Sequence, residues 1–391
     1  MSSSVKANIN AAVLAWARDV AGYDLEEAAR KIGVGAKKLQ AWELGDEKPT
    51  VKQLRNIANV YKRPTATFYL SVAPIERPSI TDFRLLSTAT FNRTPALNSE
   101  IRHARHRRDI ALELTAQLGE EPLNFRLQAD MHEQPEALAS KIRDALGVVL
   151  SSQLAWLDHY TALRTWIRAI ESLGVFVFQV KNIELSDMRG LSLSERPFPV
   201  IGINSKDSPR GRIFSLLHEL VHIALDDGGV CNLRESESTE HHFIERYCNH
   251  VAGEILVPKG SLLNESIVIN HHSKEWDDWQ LKNLANRYMV SQEVILRRLL
   301  TFNKTTTAFY NIKHNEYENF QQSKSNAGFA IPYFRIIMRD NGPAYTNLII
   351  TAFNNDTIGP RDLSDFLGGI KLDHIPKIEK ALLSSEGGVE I

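Results

Sequence analysis

Hydrophobic residues recur at helical spacing along most of this chain, whereas strand-like segments are confined to residues 175–205. The segments VFVFQV, MRGLSLS and PVIGINS are short and rich in apolar and β-branched residues, and they precede a long helix that begins near Arg210. The pattern predicts an α+β protein that is predominantly α-helical and has one small β-sheet.

The first 70 residues have the spacing of a helix-turn-helix within a group of about five helices. Asp24 and Glu27 predict a capping box at the start of a short helix, and Gly33 permits the turn into a second helix over residues 36–44. The inward positions of the two helices are Leu25, Ala28, Ala29, Ile32, Leu39 and Trp42. With the stretch WELGDEKPT, this segment resembles the Xre-like (lambda-repressor-like) DNA-binding family, which implies DNA as a partner.

The outward face of the second helix is the candidate DNA-binding surface. It presents Lys37, Lys38 and Gln40, which are residue types that contact phosphates and base edges. Residues 1–80 contain 12 Lys or Arg against 8 Asp or Glu, an excess of four positive charges. The alternative is that the lysines form a solvated face, and Gly35 stands where the resembled family often has Ser or Thr.

The segment HELVH, residues 218–222, places two histidines one helical turn apart. His218 and His222 therefore share a helix face, and Glu219 stands beside them. Two imidazoles, a third protein ligand and one open position for water make the ligand set of a catalytic zinc ion, for which Glu219 would be the base. The alternative is a pair of core histidines, so the motif needs support from elsewhere in the chain.

That support comes from IERYCNHVAGEILVP, residues 244–258, which predicts a second amphipathic helix. Glu245 shares a face with small residues, and a buried carboxylate there needs a partner such as zinc. We expect Glu245 to be the third ligand and Asn249 to accept the outer N–H of a zinc-bound histidine. The alternatives for the third ligand are His241 and His242, and, less well placed, Glu240 and Glu254.

Cys231 and Cys248 flank this site. A Cys231 thiolate at the open zinc position would inhibit an enzyme. The favoured interpretation is that Cys231 is an ordinary loop thiol and Cys248 an ordinary core thiol. Two cysteines also exclude a disulfide framework and favour a reducing compartment.

Together, PVIGINS, HELVHIAL and ERYCNHVAGEILVP resemble the ImmA/IrrE family of zinc metallopeptidases over roughly residues 175–300. The resemblance implies a gluzincin-like zinc peptidase domain in which His218, His222 and Glu245 hold Zn²⁺. It also implies that the substrate is a protein partner, a helix-turn-helix repressor or an antitoxin, cleaved in response to stress or DNA damage. Val221 stands where the family often has Gly, and no oxyanion-stabilising residue is assigned.

Composition places the chain among ordinary globular proteins, with 391 residues of which 43% are hydrophobic and 24% are charged. The formal net charge of -1 argues against a chain coated in nucleic acid or bound to a membrane surface. The first residues lack the pattern of a secretory signal, and no apolar run is long enough to span a membrane. We therefore expect a cytoplasmic protein without a membrane partner.

These patterns predict four parts: a helix-turn-helix domain (1–72), a helical connector (73–158), a peptidase domain with a helical subdomain (159–310) and a C-terminal helical unit (326–391). The stretch HNEYENFQQSKSNAG before the last part is polar enough for a linker. The arginines in the connector helix, Arg102, Arg105, Arg107 and Arg108, are expected to form a solvated face. Residues 281–300 repeat the helix-turn-helix rhythm. Packing is the favoured interpretation of this segment, and the alternative is that Lys282, Arg287 and Arg297 contact DNA.

Two functions compete on these grounds. The first is a zinc endopeptidase coupled to a DNA-binding module, and the second is a transcriptional regulator whose peptidase fold serves as a sensor or partner-binding surface. Glu219 favours the first, because a sensor would need the metal ligands but not the base.

Overall fold

The computed structural model describes residues 5–74, 94–225, 239–322 and 331–386. These residues form two compact units, one with the described residues up to His103 and one that begins at Ala104. Each unit has a hydrophobic core of its own.

The first unit is the helix-turn-helix group that the sequence predicts. Its helices are α1 (Ala11–Ala21), α2 (Leu25–Ile32), α3 (Ala36–Leu44) and α4 (Val51–Tyr61), followed by a 3-10 helix (Thr65–Tyr69). The Asp24 side chain caps α2 by accepting the Glu27 backbone N–H at 2.7 Å. Gly33 adopts a positive φ of 80°, which only glycine accepts readily, and so ends α2 and starts the turn into α3.

The apolar faces of these helices enclose one core. Leu39 and Trp42 of α3 are buried in the same core as Leu54 and Ile57 of α4 and Phe68 of the 3-10 helix, and α3 packs on α1 and α2. The ion pair between Arg18 of α1 and Glu43 of α3, with an Nε to Oε1 distance of 2.9 Å, adds a polar link across the group.

The second unit places a small sheet among many helices. The helices before the sheet are α5 (Pro95–Gln117), which crosses the boundary of the units, α6 (Pro135–Leu146), α7 (Leu150–Leu154) and α8 (His159–Glu171). The strands are β1 (Phe176–Val180), β2 (Gly190–Leu193) and β3 (Val200–Asn204). Their order is β1-β3-β2, with β1 parallel and β2 antiparallel to β3. All three strands lie in the predicted segments.

The helices after the sheet build the site and the C-terminal part. They are α9 (Pro209–Leu225), α10 (Thr239–Leu256), α11 (Lys259–Leu263), α12 (Ser266–Ile269), α13 (Asp278–Tyr288), α14 (Gln292–Thr301), α15 (Thr307–Gln322), α16 (Tyr333–Asn341), α17 (Pro343–Asn354), α18 (Pro360–Phe366) and α19 (Ile375–Glu386), with a 3-10 helix (Leu372–His374) before the last. Helix α9 packs against α8, α10, β2 and β3, so it lies in the centre of this unit.

The prediction of a linker from His314 onward is wrong for its first part, because α15 continues to Gln322. Tyr310 and Tyr317 lie two helical turns apart and pack against the core. Lys313 of the same helix bonds to Asp278, with Nζ 3.0 Å from Oδ1. Two aromatic anchors and an ion pair therefore hold a helix whose composition is polar.

The prediction of a solvated arginine face is also wrong for three of the four residues. Arg105 and Arg108 both lie 3.6 Å from the carboxylate of Glu195, and Arg108 is buried. The Arg107 guanidinium lies over the Phe178 ring, 4.7 Å from its centroid. These arginines fasten α5 to the rest of the second unit.

Glu171 is a buried carboxyl group at the end of α8. It accepts the backbone N–H of Ala344, in the first turn of α17, at 3.2 Å. Burial raises the pKa of Glu171 to about 8, although the N–H groups of Ala344 and Val177 favour the charged form. The position at the C-terminal end of α8 also disfavours a negative charge.

We predict that Glu171 makes stability fall as pH rises. Its pKa in the folded protein, about 8, lies above the usual value of 4.5, so its stabilising contribution is complete below pH 4.5 and is lost as pH rises through 8. The loss should be on the order of a few kcal/mol. Glu171→Gln stays neutral and should remove this decline, measured by urea unfolding at several pH values. The exposed Glu120→Gln is the control, and equal pH slopes in the two variants would contradict the prediction.

Candidate metal centre and helix-turn-helix surface

The histidines of HELVH point their ring nitrogens at each other from one face of α9. The Nε2 atoms of His218 and His222 are 3.0 Å apart, and both side chains are buried. The Phe214 ring, one turn earlier, stacks on the His218 ring with 6.3 Å between centroids. The spacing of four residues therefore brings two ring nitrogens together on one face of α9.

Helix α10 brings Glu245 to the same point. Its Oε2 atom is 3.3 Å from His218 Nε2, and its Oε1 atom is 3.3 Å from His222 Nε2. A tetrahedral zinc ion with bonds of about 2.0–2.1 Å separates its donor atoms by about 3.3–3.4 Å. The three separations, 3.0, 3.3 and 3.3 Å, are thus close to those of a tetrahedral metal site.

The charge state of Glu245 suits a cation. Burial raises the pKa of this carboxyl group, but its hydrogen bonds with His218 and His222 outweigh burial and hold the pKa well below its usual range. The carboxylate is therefore ionised, as a metal ligand must be. It is also the most exposed of the three candidate ligands, so the group has an open side.

The alternative third ligands do not join this group within the described residues. Glu254 forms an ion pair with Arg298, and its Oε1 accepts the Lys259 backbone N–H at 2.8 Å. The side chains of Glu240, His241 and His242 lie outside the described residues, as does Cys231. Cys248 is buried beside His222, and burial raises the pKa of its thiol, as expected of a core cysteine.

Glu219 is held against strand β2. Its Oε2 accepts a hydrogen bond of 2.8 Å from the Ser192 hydroxyl, and both side chains are buried. A Cβ atom on Gly190 would lie only 2.5 Å from Oε1 of Glu219, so the absence of a side chain at Gly190 makes room for the carboxylate. Gly190 and Ser192 carry no recognisable motif in the sequence, although strand alternation places both on one face of β2.

Asn249 does not make the bond expected of it. Its Oδ1 is buried and has no hydrogen-bond partner among the described residues. Asn249 instead lines a cavity beside α10. Its role as an acceptor for a ligand histidine stays a prediction.

The first unit exposes the predicted DNA-binding surface. Lys37, Lys38 and Gln40 are exposed on α3, while Leu39 and Trp42 on its other side are buried. Gly35 caps α3 without a side-chain hydrogen bond. The three polar side chains are therefore exposed to solvent, and the Lys38 ammonium lies 6.0 Å from the centroid of the Trp42 ring.

Family comparisons agree with both parts of this arrangement. Residues 170–300 match the peptidase family M78, described as the IrrE N-terminal-like domain, and residues 14–68 match a helix-turn-helix family. The chain thus joins a peptidase domain to a DNA-binding helix-turn-helix module, and the resemblance seen in the sequence is confirmed. Searches of curated proteins and of solved structures each found no match. None of the described helices has the length and apolarity needed to cross a membrane.

We predict that Gly190→Ala disturbs the position of Glu219. The added methyl group would require the carboxylate or β2 to move, so the variant should be destabilised by about 1–3 kcal/mol. Urea unfolding of the full chain measures this loss. Gly35→Ala is the control, since its Cβ meets no atom within 4 Å. Equal stability of Gly190→Ala and the parent protein would contradict the close approach.

Proposed function

We propose that the peptidase domain is a zinc-dependent endopeptidase and that the helix-turn-helix module brings it to DNA. The observation that supports this best is the convergence of His218, His222 and Glu245 next to a buried Glu219. The ligand set itself favours zinc, because imidazole nitrogens suit zinc whereas magnesium and calcium prefer oxygen ligands.

The residues of the site divide the chemistry between them. A bound zinc ion would supply the Lewis acidity that activates water and polarises a peptide carbonyl. Glu219 accepts the proton of the attacking water while the hydroxide oxygen bonds to the carbonyl carbon. When the C–N bond breaks, Glu219 returns that proton to the amine nitrogen. Ser192 holds one carboxylate oxygen of Glu219 and thereby fixes the direction of the other.

Strand β2 offers a place for the substrate backbone. It pairs with β3 on one side, and no described strand pairs with its other side. An extended peptide could add to that edge by main-chain hydrogen bonds. Because Glu219 lies against β2, a peptide bound there would pass close to the proposed base.

The proposed substrate is a repressor or antitoxin that carries its own helix-turn-helix. A protease with a DNA-binding module would meet such a substrate on the same operator, which raises their local concentration. The circuit would be one of stress response or of a mobile element, and the proposed location is the cytoplasm. A small helix-turn-helix protein encoded beside this chain would be the first substrate to test.

A regulator without proteolysis is the second candidate. It would keep the metal ligands for stability and use the fold to bind a partner. The hydrogen bond that Ser192 donates to Glu219 argues for the enzyme, because a sensor has no need of an oriented base.

We predict that substitutions of the proposed ligands reduce zinc binding, whereas substitution of Glu219 reduces catalysis alone. Purified protein should hold about one zinc ion, and the double variant His218→Ala with His222→Ala should hold none. Glu245→Ala should lower zinc affinity, since a charged ligand is lost. Glu219→Gln should keep zinc and lose about 100- to 10,000-fold in the rate of cleavage. Metal analysis and cleavage of a candidate helix-turn-helix protein are measured on the same preparations.

Three results would contradict this assignment. Full zinc occupancy in the double histidine variant would place the metal elsewhere in the chain. Cleavage at the parental rate by Glu219→Gln would show that Glu219 is not the base. A zinc-loaded parent protein that cuts no partner would favour the regulator.

We also predict that α3 contacts DNA phosphates. Lys37→Ala with Lys38→Ala should weaken binding and reduce the slope of log affinity against log salt by about two. The control replaces two exposed lysines of α19, Lys377 and Lys380, with alanine. Binding to DNA fragments is measured at several salt concentrations. A parent protein without affinity for DNA at low salt would rule out this role.

A further inference from the structure

A cavity of about 410 Å³ lies between α10 and α14. One face of α10 lines it with Arg246, Asn249, His250 and Gly253, which follow helical spacing. Helix α14 contributes Arg297 and Arg298, and Phe214 contributes an apolar wall. Phe214 also stacks on His218, so this one side chain links the cavity to the proposed metal centre.

Three residues around this cavity have buried polar atoms without hydrogen-bond partners among the described residues. They are Nη1 of Arg298, Nε2 of His250 and Oδ1 of Asn249. Such atoms are rare in native proteins, because leaving them unpaired costs free energy. Three of them around one cavity point to a polar ligand.

Arg298 is the most constrained of the three. Its side chain is 2% exposed, and its Nε donates to the Val257 carbonyl oxygen at 3.1 Å. Its guanidinium also lies 4.4 Å from the centroid of the Phe302 ring. A Cβ on Gly253 would come within 3.1 Å of Arg298 Cδ, so the glycine leaves space for this side chain. The guanidinium is therefore held in place before any ligand binds.

A metal ion does not explain the cavity. Glu136, His250 and Glu254 have potential ligand atoms within 4.8 Å of one another. However, Arg298 pairs with Glu254, whose other oxygen accepts the Lys259 N–H. A second cation at this point would be repelled by the buried guanidinium. The unpaired Nη1 of Arg298 is a donor, which calls for an acceptor.

The lining of the cavity favours an anionic ligand, because it includes three arginines and no acidic side chain. Glu254 balances Arg298, and Glu293 balances Arg297 at 3.2 Å. Arg246 is exposed and makes no ion pair with a described residue. Glu136 lies beside His250 and Glu254, outside the lining, so the positive charge is concentrated on the cavity wall. Phe214, Val294 and Leu300 provide apolar walls.

We propose that this cavity binds a carboxylate with a short apolar stem, which we call the carboxylate pocket (Arg246, Asn249, His250, Arg297 and Arg298). The carboxylate accepts from Arg298, with Arg246 at the rim, and the stem packs on Phe214. One source is an acidic side chain near the cleaved bond, which rests on the proposed peptidase function. The other source is a free small carboxylate that binds beside the metal centre.

Calorimetry on the zinc-loaded full chain tests the pocket without proteolysis. Glutarate is the probe, and glutaramide is its neutral counterpart. Glutarate should bind the parent protein, and affinity should fall at least about tenfold in Arg246→Gln with Arg297→Gln and in Arg298→Lys. Arg126→Gln, an exposed arginine elsewhere in the same unit, should bind as the parent does. Arg298→Lys retains the charge but loses the forked donors, and circular dichroism checks its fold.

Digestion of a mixed peptide library distinguishes the sources. Enrichment of Asp or Glu at one fixed position beside the cut, lost in Arg298→Lys, assigns the pocket to the substrate. Glutarate binding without such enrichment assigns it to a free carboxylate. Absence of both glutarate binding and acid preference, or equal glutaramide binding, overturns the pocket. Failure of the zinc-loaded protein to cut any peptide overturns the peptidase proposal, and glutarate binding alone then decides on the pocket.

Discussion

The packing of α9 against α10 is the constraint on which the rest of the second unit depends. Two buried imidazoles and a carboxylate meet within 3.3 Å only because these helices approach closely. Cys248 and Ala252, on the same side of α10 as Glu245, are small and fully buried, which permits that approach. Larger side chains there would separate the donors and leave each of them buried without a partner.

The small sheet supplies hydrogen-bond partners for buried polar side chains of α9. Every residue of α9 from Arg212 to Leu225 is buried, so each polar side chain on it needs a partner from another element. Ser192 of β2 serves Glu219, and Gln179 of β1 accepts from Arg212 at 2.6 Å. The sheet therefore orients the polar groups of α9, and that role explains why a largely helical unit retains three short strands.

The parts that the sequence could predict are those that depend on local spacing. HELVH fixes two histidines on one face of a helix, and Glu245 follows from the apolar face of the next helix. The roles of Gly190 and Ser192 depend on which face of β2 meets α9, and spacing alone does not give this. The prediction for the arginines of α5 fails for a similar reason, because Glu195 and Phe178 are distant in sequence and close only in the fold.

Helix α10 carries polar residues on two faces, one toward the proposed metal centre and one toward the carboxylate pocket. Glu245 and Cys248 face α9, whereas Arg246, His250 and Gly253 face α14 and the carboxylate pocket. A ligand in that pocket would thus contact the helix that positions Glu245, one residue away from the proposed metal ligand. Because both faces belong to one helix, a shift of α10 caused by a ligand in the carboxylate pocket would also move Glu245.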